Sequence, residues 1–265
     1  LADPPGLSGL DASIVLVRHG ESTWVAENRF QGQGDPPLSA LGEAQAALVA
    51  RRLADPAASP ALPLPGGGPI GVWHSPLRRA ASTAAAIGSA IAETSGVISL
   101  RPDDRLKELG QGHWEGLLHA EVRARYGREL DAWREDPVRN YAPAGESLTD
   151  GSVRVAAAVS DVVDALRMAA LPGAAATDQV LGYGSSSTTW PWAIVAAHDG
   201  TLRLALLMLL GLPLERYWAF PFALCAATVV EISGGRARLR AHNLAEHLES
   251  LARPALAATD RGGAL

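Results

Sequence analysis

Cysteine is nearly absent from this chain. Cys225 is the one thiol in 265 residues, so no internal disulfide and no cluster of thiolate metal ligands can form. Its neighbours Phe222, Ala223, Leu224 and Ala226 are apolar, and Cys225 reads as a small core residue. Lysine is equally scarce: Lys107 is the only one among 23 lysines and arginines. Without a Gly-Lys-Ser/Thr ending there is no Walker-type phosphate loop, although arginine is the better fork for phosphate oxygens. Positive charge is not in excess either. The formal net charge of -5 argues against a nucleic-acid partner, which calls for clustered basic residues. Long apolar runs are missing: residues 14–17 are too few for a signal peptide, and residues 202–212 too few to cross a bilayer. The expectation is a soluble cytoplasmic protein with no membrane partner. The chain begins at Leu1 rather than Met, which leaves room for processing upstream.

What is present suffices for one large α/β domain with a full core. The β-branched run at 14–17 reads as a buried strand that ends on Arg18-His19-Gly20. Polar chemistry is thus delivered to the carboxyl end of a strand, where ligands sit in open α/β sheets. Ser39 reads as an N-cap, with Glu43 one turn in, for a helix to about residue 53. Residues 56–69 form a Pro/Gly-rich connection. Further strands are expected at 70–74, 97–100 and 193–197. Helices are expected from 75 to about 92, and at 121–133, 147–170 and 201–210. Residues 226–232 and 236–241 flank Gly234-Gly235 as a hairpin. Strands alternating with helices imply a mostly parallel sheet covered on both faces. The expected organisation is an N-terminal extension at 1–13, a single domain at 14–253 with a mobile insertion at 171–191, and a tail at 254–265.

Three strand ends deliver reactive groups: Arg18-His19, then Ser75 to Arg79, then His198. Glu108 lies just before a glycine-rich stretch, in Arg105-Leu106-Lys107-Glu108-Leu109-Gly110, with Glu115 and Glu121 as competing carboxylates. Two imidazoles, two guanidiniums and a carboxylate are what phosphoryl transfer through histidine requires. A neutral imidazole attacks phosphorus, cations neutralise the equatorial oxygens, and a protonated carboxyl group supplies the leaving group's proton. Nearby arginines should hold His19 in its neutral, nucleophilic form.

At this point the sequence resembles the histidine phosphatase superfamily, which includes cofactor-dependent phosphoglycerate mutases. The matching segments are Val15-Leu16-Val17-Arg18-His19-Gly20-Glu21-Ser22, Gln31-Gly32-Gln33-Gly34-Asp35-Pro36-Pro37-Leu38-Ser39, Ser75-Pro76-Leu77-Arg78-Arg79-Ala80, residues 106–116, Gly145-Glu146-Ser147-Leu148 and Val195-Ala196-Ala197-His198. They occur in the family's order across residues 14–244. The resemblance implies a three-layer α/β/α sandwich with a mostly parallel central sheet and the site above its carboxyl edge. It implies His19 as nucleophile, Glu108 as proton donor and later base, and Arg18, Arg79 and His198 as the phosphate clamp. It selects Arg79 over its neighbour Arg78. No cofactor and no metal are expected.

Two positions depart from the pattern. Family members commonly carry Asn where Val25 stands, so Asn28 becomes the candidate phosphate donor in its place. Asp199 replaces the usual glycine after the second histidine, and its charge would repel an anion unless it points away or pairs with an arginine. The expected partner is a small phosphorylated metabolite, with a homodimer as an open alternative. The expected activity is metal-independent hydrolysis of a phosphate monoester. Two alternatives stand beside it: a phosphoglycerate mutase, and a phosphate-binding module with reduced turnover. The mutase reading is disfavoured by the acids spread through residues 116–143 (Glu121, Glu129, Asp131, Glu135, Asp136), where a second phosphate would need concentrated arginines.

Overall fold

The computed structural model describes residues 6–171 and 190–251. Almost all of the expected insertion, the whole of the expected tail and the first five residues lie outside that range. The apolar run at the start becomes β1, Ala12–Arg18, buried along its whole length. Complete burial follows from its place near the middle of the sheet: it pairs parallel with β4, Trp192–Ala197, and antiparallel with β5, Ala227–Ser233. The six-stranded order is completed by β2, Val72–His74, β3, Leu100–Pro102, and β6, Arg236–Leu244, giving β3-β2-β4-β1-β5-β6. The first four strands in that row are parallel, and β5 and β6 are antiparallel additions. Gly234 and Gly235 join them with φ of 58° and 75°, the left-handed pair that a tight hairpin turn requires.

Alternate residues of a strand face opposite sides of the sheet, and here each side has its own core. Ile14, Leu16, Ala193, Val195 and Ala197 pack with Val159, Val163, Leu204 and Leu207. These come from α5, Leu148–Ala169, and α6, Asp199–Leu209. Val15, Val17, Trp192 and Ile194 pack with Val49, Leu53, Ile87 and Ile91, from α2, Ala40–Ala54, and α3, Arg78–Ser95. The result is the three-layer arrangement. Two further helices complete the set: the single turn α1, Thr23–Ala26, and α4, His119–Glu135.

Local chemistry explains most boundaries. Ser39 caps α2 by accepting the Gly42 N–H, and Ser147 caps α5 through the Asp150 N–H. The strand expected at 97–100 is displaced to Leu100–Pro102. Its reason is that α3 runs on to Ser95, so Gly96, with φ of 87°, and a fully exposed Val97 are spent on the turn. At the sheet's two rims, β3 is three residues long, exposed and ends in Pro102. Arg236, Arg238 and Arg240 stand at alternate exposed positions along β6.

The approach of α2 to the loop after β1 is unusually close. A Cβ on Gly42 would lie 1.9 Å from the Glu21 carbonyl oxygen, and one on Gly20 would lie 2.5 Å from the Gly42 carbonyl oxygen. Both obstacles are main chain, which cannot swing aside as a side chain can. Gly42→Ala is therefore expected to destabilise the protein by about 1–3 kcal/mol, the usual range for overpacking, despite alanine's better helix propensity. Urea unfolding measures this; a variant as stable as the parent would mean that α2 can shift freely against the loop.

Candidate active site

The site is assembled at the ends of three adjacent strands, and the ladders of β1 and β2 run one residue past their ends onto β4. The His19 N–H donates to the Ala197 carbonyl (3.0 Å), and the Ser75 N–H donates to the Ala196 carbonyl (3.1 Å). The residues following β1 and β2 are thereby fixed in register against the end of β4, which His198 follows directly. The His19 and His198 rings meet edge to face with centroids 5.1 Å apart. Arg79, in the first turn of α3, completes the cluster by donating Nε to His19 Nε2 at 3.3 Å. Arg18, His19, Arg79, Glu108 and His198 are all buried.

The tautomer of His19 follows from its contacts. Nδ1 lies 2.6 Å from the Gly20 carbonyl oxygen, which can only accept, so Nδ1 carries the proton. Nε2 then holds a lone pair turned toward the arginine. Burial holds the His19 pKa well below its usual 6.5, and the Arg79 and Arg18 guanidiniums depress it further, against the Gly20 hydrogen bond. His198 is depressed in the same way by burial, then by Arg79 and His19. Its Nε2 shares a 2.8 Å hydrogen bond with Ser75 Oγ, while Nδ1 is buried without a partner among the described residues.

Arg79 is fully buried, and burial lowers its pKa to about 10. Nη1 and Nη2 donate to the carbonyls of Gly34 (2.7 Å) and Gly32 (2.8 Å), so the glycine-rich loop aims the guanidinium. Arg78 beside it is exposed, as the motif register requires. Thr83, one turn along α3, donates to the Arg79 carbonyl and accepts the Gly20 N–H. This ties the loop after His19 to the helix that carries Arg79. Arg18 donates Nη1 to the Phe222 carbonyl at 2.6 Å, and its Nε is buried and unpartnered among the described residues.

Glu108 is 2% exposed. Burial raises its pKa, and the Asp199 charge adds to this, while the Leu109 and Gly200 N–H groups and Arg79 pull the other way. Its oxygens meet the first turn of α6 through the Gly200 and Thr201 N–H groups and Thr201 Oγ1. The loop carrying it is clamped from α5. Arg154 donates to the carbonyls of Arg105, Lys107 and Glu108 and forms a two-pronged pair with Glu146, which also accepts the Gly110 N–H. The competing carboxylates have other tasks. Glu115 accepts the Gln33 and Gln111 N–H groups, and Glu121 closes the start of α4 by accepting the Leu118 N–H.

Two expectations about the departures meet different outcomes. Asp199 pairs with Arg203 (3.0 Å) and accepts the Phe222 N–H (3.1 Å), so its charge is compensated. Asn28 does not join the cluster. It is exposed, with φ of 58°, and its carbonyl accepts the His119 N–H. Asparagine tolerates this left-handed backbone at the end of α1 better than most residues, and that accounts for it without a phosphate. Val25 donates its N–H to Ser22 Oγ, acting through its main chain. Ser75 meets His198, and Thr201 and Arg154 meet Glu108, through contacts that no local pattern in the sequence announces. Only Ser75 carried a signal, its place at a strand end.

Two imidazoles held neutral couple folding to pH. Each takes its proton readily only in the unfolded chain, so their contribution is complete above about 6.5 and is lost as pH falls below it. The slope is at most about 1.4 kcal/mol per pH unit for each histidine. Glu108, shifted upward, favours the folded state at low pH and offsets part of it. Unfolding free energy is expected to fall between pH 7 and pH 5.5, with a smaller slope in His198→Gln. Stability independent of pH over this interval in the parent would contradict two buried neutral imidazoles.

The chain as a whole is similar to known phosphatases. The sequence is 31% identical over 222 residues to the glucosyl-3-phosphoglycerate phosphatase of Mycolicibacterium vanbaalenii, covering 83% of this chain and 84% of that one. It is 28% identical over 238 residues to phosphoserine phosphatase 1 of Hydrogenobacter thermophilus, covering 89% and 93%. The solved mycobacterial glucosyl-3-phosphoglycerate phosphatase complexed with VO3 superposes with a TM-score of 0.68 at 28% identity, over 88% of this chain and 99% of that one. Residues 14–170 and 176–245 match the histidine phosphatase superfamily (branch 1), and the chain belongs to that family of phosphate-monoester hydrolases.

Proposed function

We propose that this protein hydrolyses a small phosphate monoester through a covalent phosphohistidine on His19. The observation that carries this reading is the tautomer: Nδ1 is committed to the Gly20 carbonyl, so Nε2 keeps its lone pair, which accepts from the Arg79 guanidinium that phosphate oxygens would engage instead. His19 Nε2 attacks phosphorus as the ester P–O bond breaks. Arg18, Arg79 and His198 Nδ1 bind the phosphoryl oxygens and offset their charge. The Glu108 carboxyl group gives its proton to the departing alkoxide. Water then attacks the phosphohistidine, Glu108 takes a proton from it, and cleavage of the N–P bond releases phosphate and neutral imidazole.

Water rather than a second hydroxyl is the acceptor in this reading. Along α4, Arg123 pairs with Asp131 and Arg125 with Glu121, so acids are interleaved with arginines on this helix and no concentrated basic patch forms for a second phosphate. The relatives are named for glucosyl-3-phosphoglycerate and phosphoserine, both phosphate esters of three-carbon acids. We therefore assign the substrate to that class, free or glycosylated. Phosphate release from phosphoserine, 3-phosphoglycerate, a glycosylated phosphoglycerate and α-ribazole phosphate tests this. A clear preference for α-ribazole phosphate would move the substrate out of the class.

A reaction with an ester radiolabelled in its phosphoryl group, quenched in alkaline detergent, is expected to leave acid-labile, base-stable label on the wild type and none on His19→Ala. His19→Ala should also lose several orders of magnitude in turnover; near-normal turnover would end the covalent mechanism. Glu108→Gln should slow alkyl phosphates by roughly 100-fold or more and p-nitrophenyl phosphate far less, since its phenolate leaves without a proton. Equal impairment on both would remove Glu108 from the proton-donor role. Activity should persist in EDTA, because imidazoles and guanidiniums supply all the electrophilic assistance; loss that a divalent ion restores would point to a metal-assisted reaction.

A further inference from the structure

Asp199 is fully engaged, and its partners lead to the phosphate clamp. It is the first residue of α6, directly after His198, and is 2% exposed. One carboxylate oxygen accepts the Phe222 N–H at 3.1 Å, and the other meets Arg203 Nη2 at 3.0 Å. Arg203 is itself immobilised. Its Nη1 donates to the Tyr217 carbonyl, and its guanidinium lies over the Tyr217 and Trp218 rings at 5.6 Å and 5.2 Å.

The opposite side of Phe222 faces the site. Its carbonyl accepts Arg18 Nη1 at 2.6 Å, and the N–H of the same peptide, on Ala223, donates to Asn243 Oδ1 at 2.6 Å. Three residues on, the Cys225 N–H donates to the Arg18 carbonyl, so this connecting segment follows both the main chain and the side chain of Arg18. Phe222 is thus gripped on its N–H by Asp199 and on its carbonyl by Arg18.

We propose that Asp199 is a positioning residue for phosphate binding: by fixing Phe222, it sets where Arg18 presents the buried Nε edge of its guanidinium. The inference rests on the proposed role of Arg18 in binding phosphate. It turns the residue that departs from the family's glycine into part of the clamp's support. A buried carboxylate whose charge is matched by Arg203 performs this task without adding net charge beside the anion.

Direct titration of the protein with inorganic phosphate by calorimetry tests this without requiring turnover. Removing Asp199 alone would strand the buried Arg203 charge, so the informative variant is Asp199→Leu with Arg203→Met, which replaces the pair with apolar groups of similar size. Its unfolding transition is compared with the wild type's. The expected result is a folded protein whose phosphate Kd rises about five- to tenfold, the worth of roughly one hydrogen bond. The same change in an Arg18→Met background should alter Kd less than twofold, because the positioned group is gone. If the pair can be removed without changing Kd, or if it costs as much without Arg18 as with it, Asp199 does not act through Arg18. Should the double variant fail to fold, Asp199→Asn decides the matter by the same cycle with Arg18→Met. Failure of the Arg18 premise would be separately visible: Arg18→Met alone would then bind phosphate like the wild type.

Discussion

A guanidinium rests 3.3 Å from an imidazole nitrogen with both groups out of water, and much of the surrounding structure makes that contact tolerable. A buried cation without compensation is expensive. Arg79 is compensated by dipoles: the Gly32 and Gly34 carbonyls take its outer nitrogens. The imidazole is compensated by neutrality, with its proton turned away onto the Gly20 carbonyl. Each accommodation needs main chain at a definite place. The close contact between Gly20 and Gly42 and the Thr83 bridge from the Gly20 N–H to the Arg79 carbonyl hold those places relative to one another.

Glu108 is governed by the opposite balance. Burial makes its proton harder to lose, while main-chain N–H groups from Leu109 and the start of α6 favour the ionised form. Under the proposed mechanism, which asks this group to give a proton and later take one back, the upward push of burial favours the protonated starting state. Its loop has little secondary structure of its own. Arg154 supplies the missing rigidity by gathering three carbonyls of that loop onto α5.

The sequence made the strand-end residues legible because strands and motifs are local. The run ending at Arg18-His19, the capped start of α2 at Ser39 and the hairpin around Gly234-Gly235 all depend on neighbouring residues alone. The pairing order of the sheet is not local, and it is what brings Ser75 to His198 and Thr201 to Glu108. Arg154 acts across 46 residues of chain on the Glu108 carbonyl, and nothing in its helix marks it out. The apolar spacing around Val97 resembles a strand, yet α3 continues to Ser95 and the strand begins only at Leu100. The side chain of Asn28 suggests a phosphate donor, whereas the fold uses its backbone conformation.

The two rims of the sheet bear on how the chain meets other molecules. A strand with free main-chain groups along one side is a template for a strand from another copy. On one rim, β3 offers only three residues and ends in a proline that has no N–H to donate. On the other, β6 carries arginines at alternate exposed positions, so an identical strand brought alongside would set like charges against each other. Fibril-like growth through the sheet is therefore opposed at both ends, by shortness on one side and by electrostatic repulsion on the other.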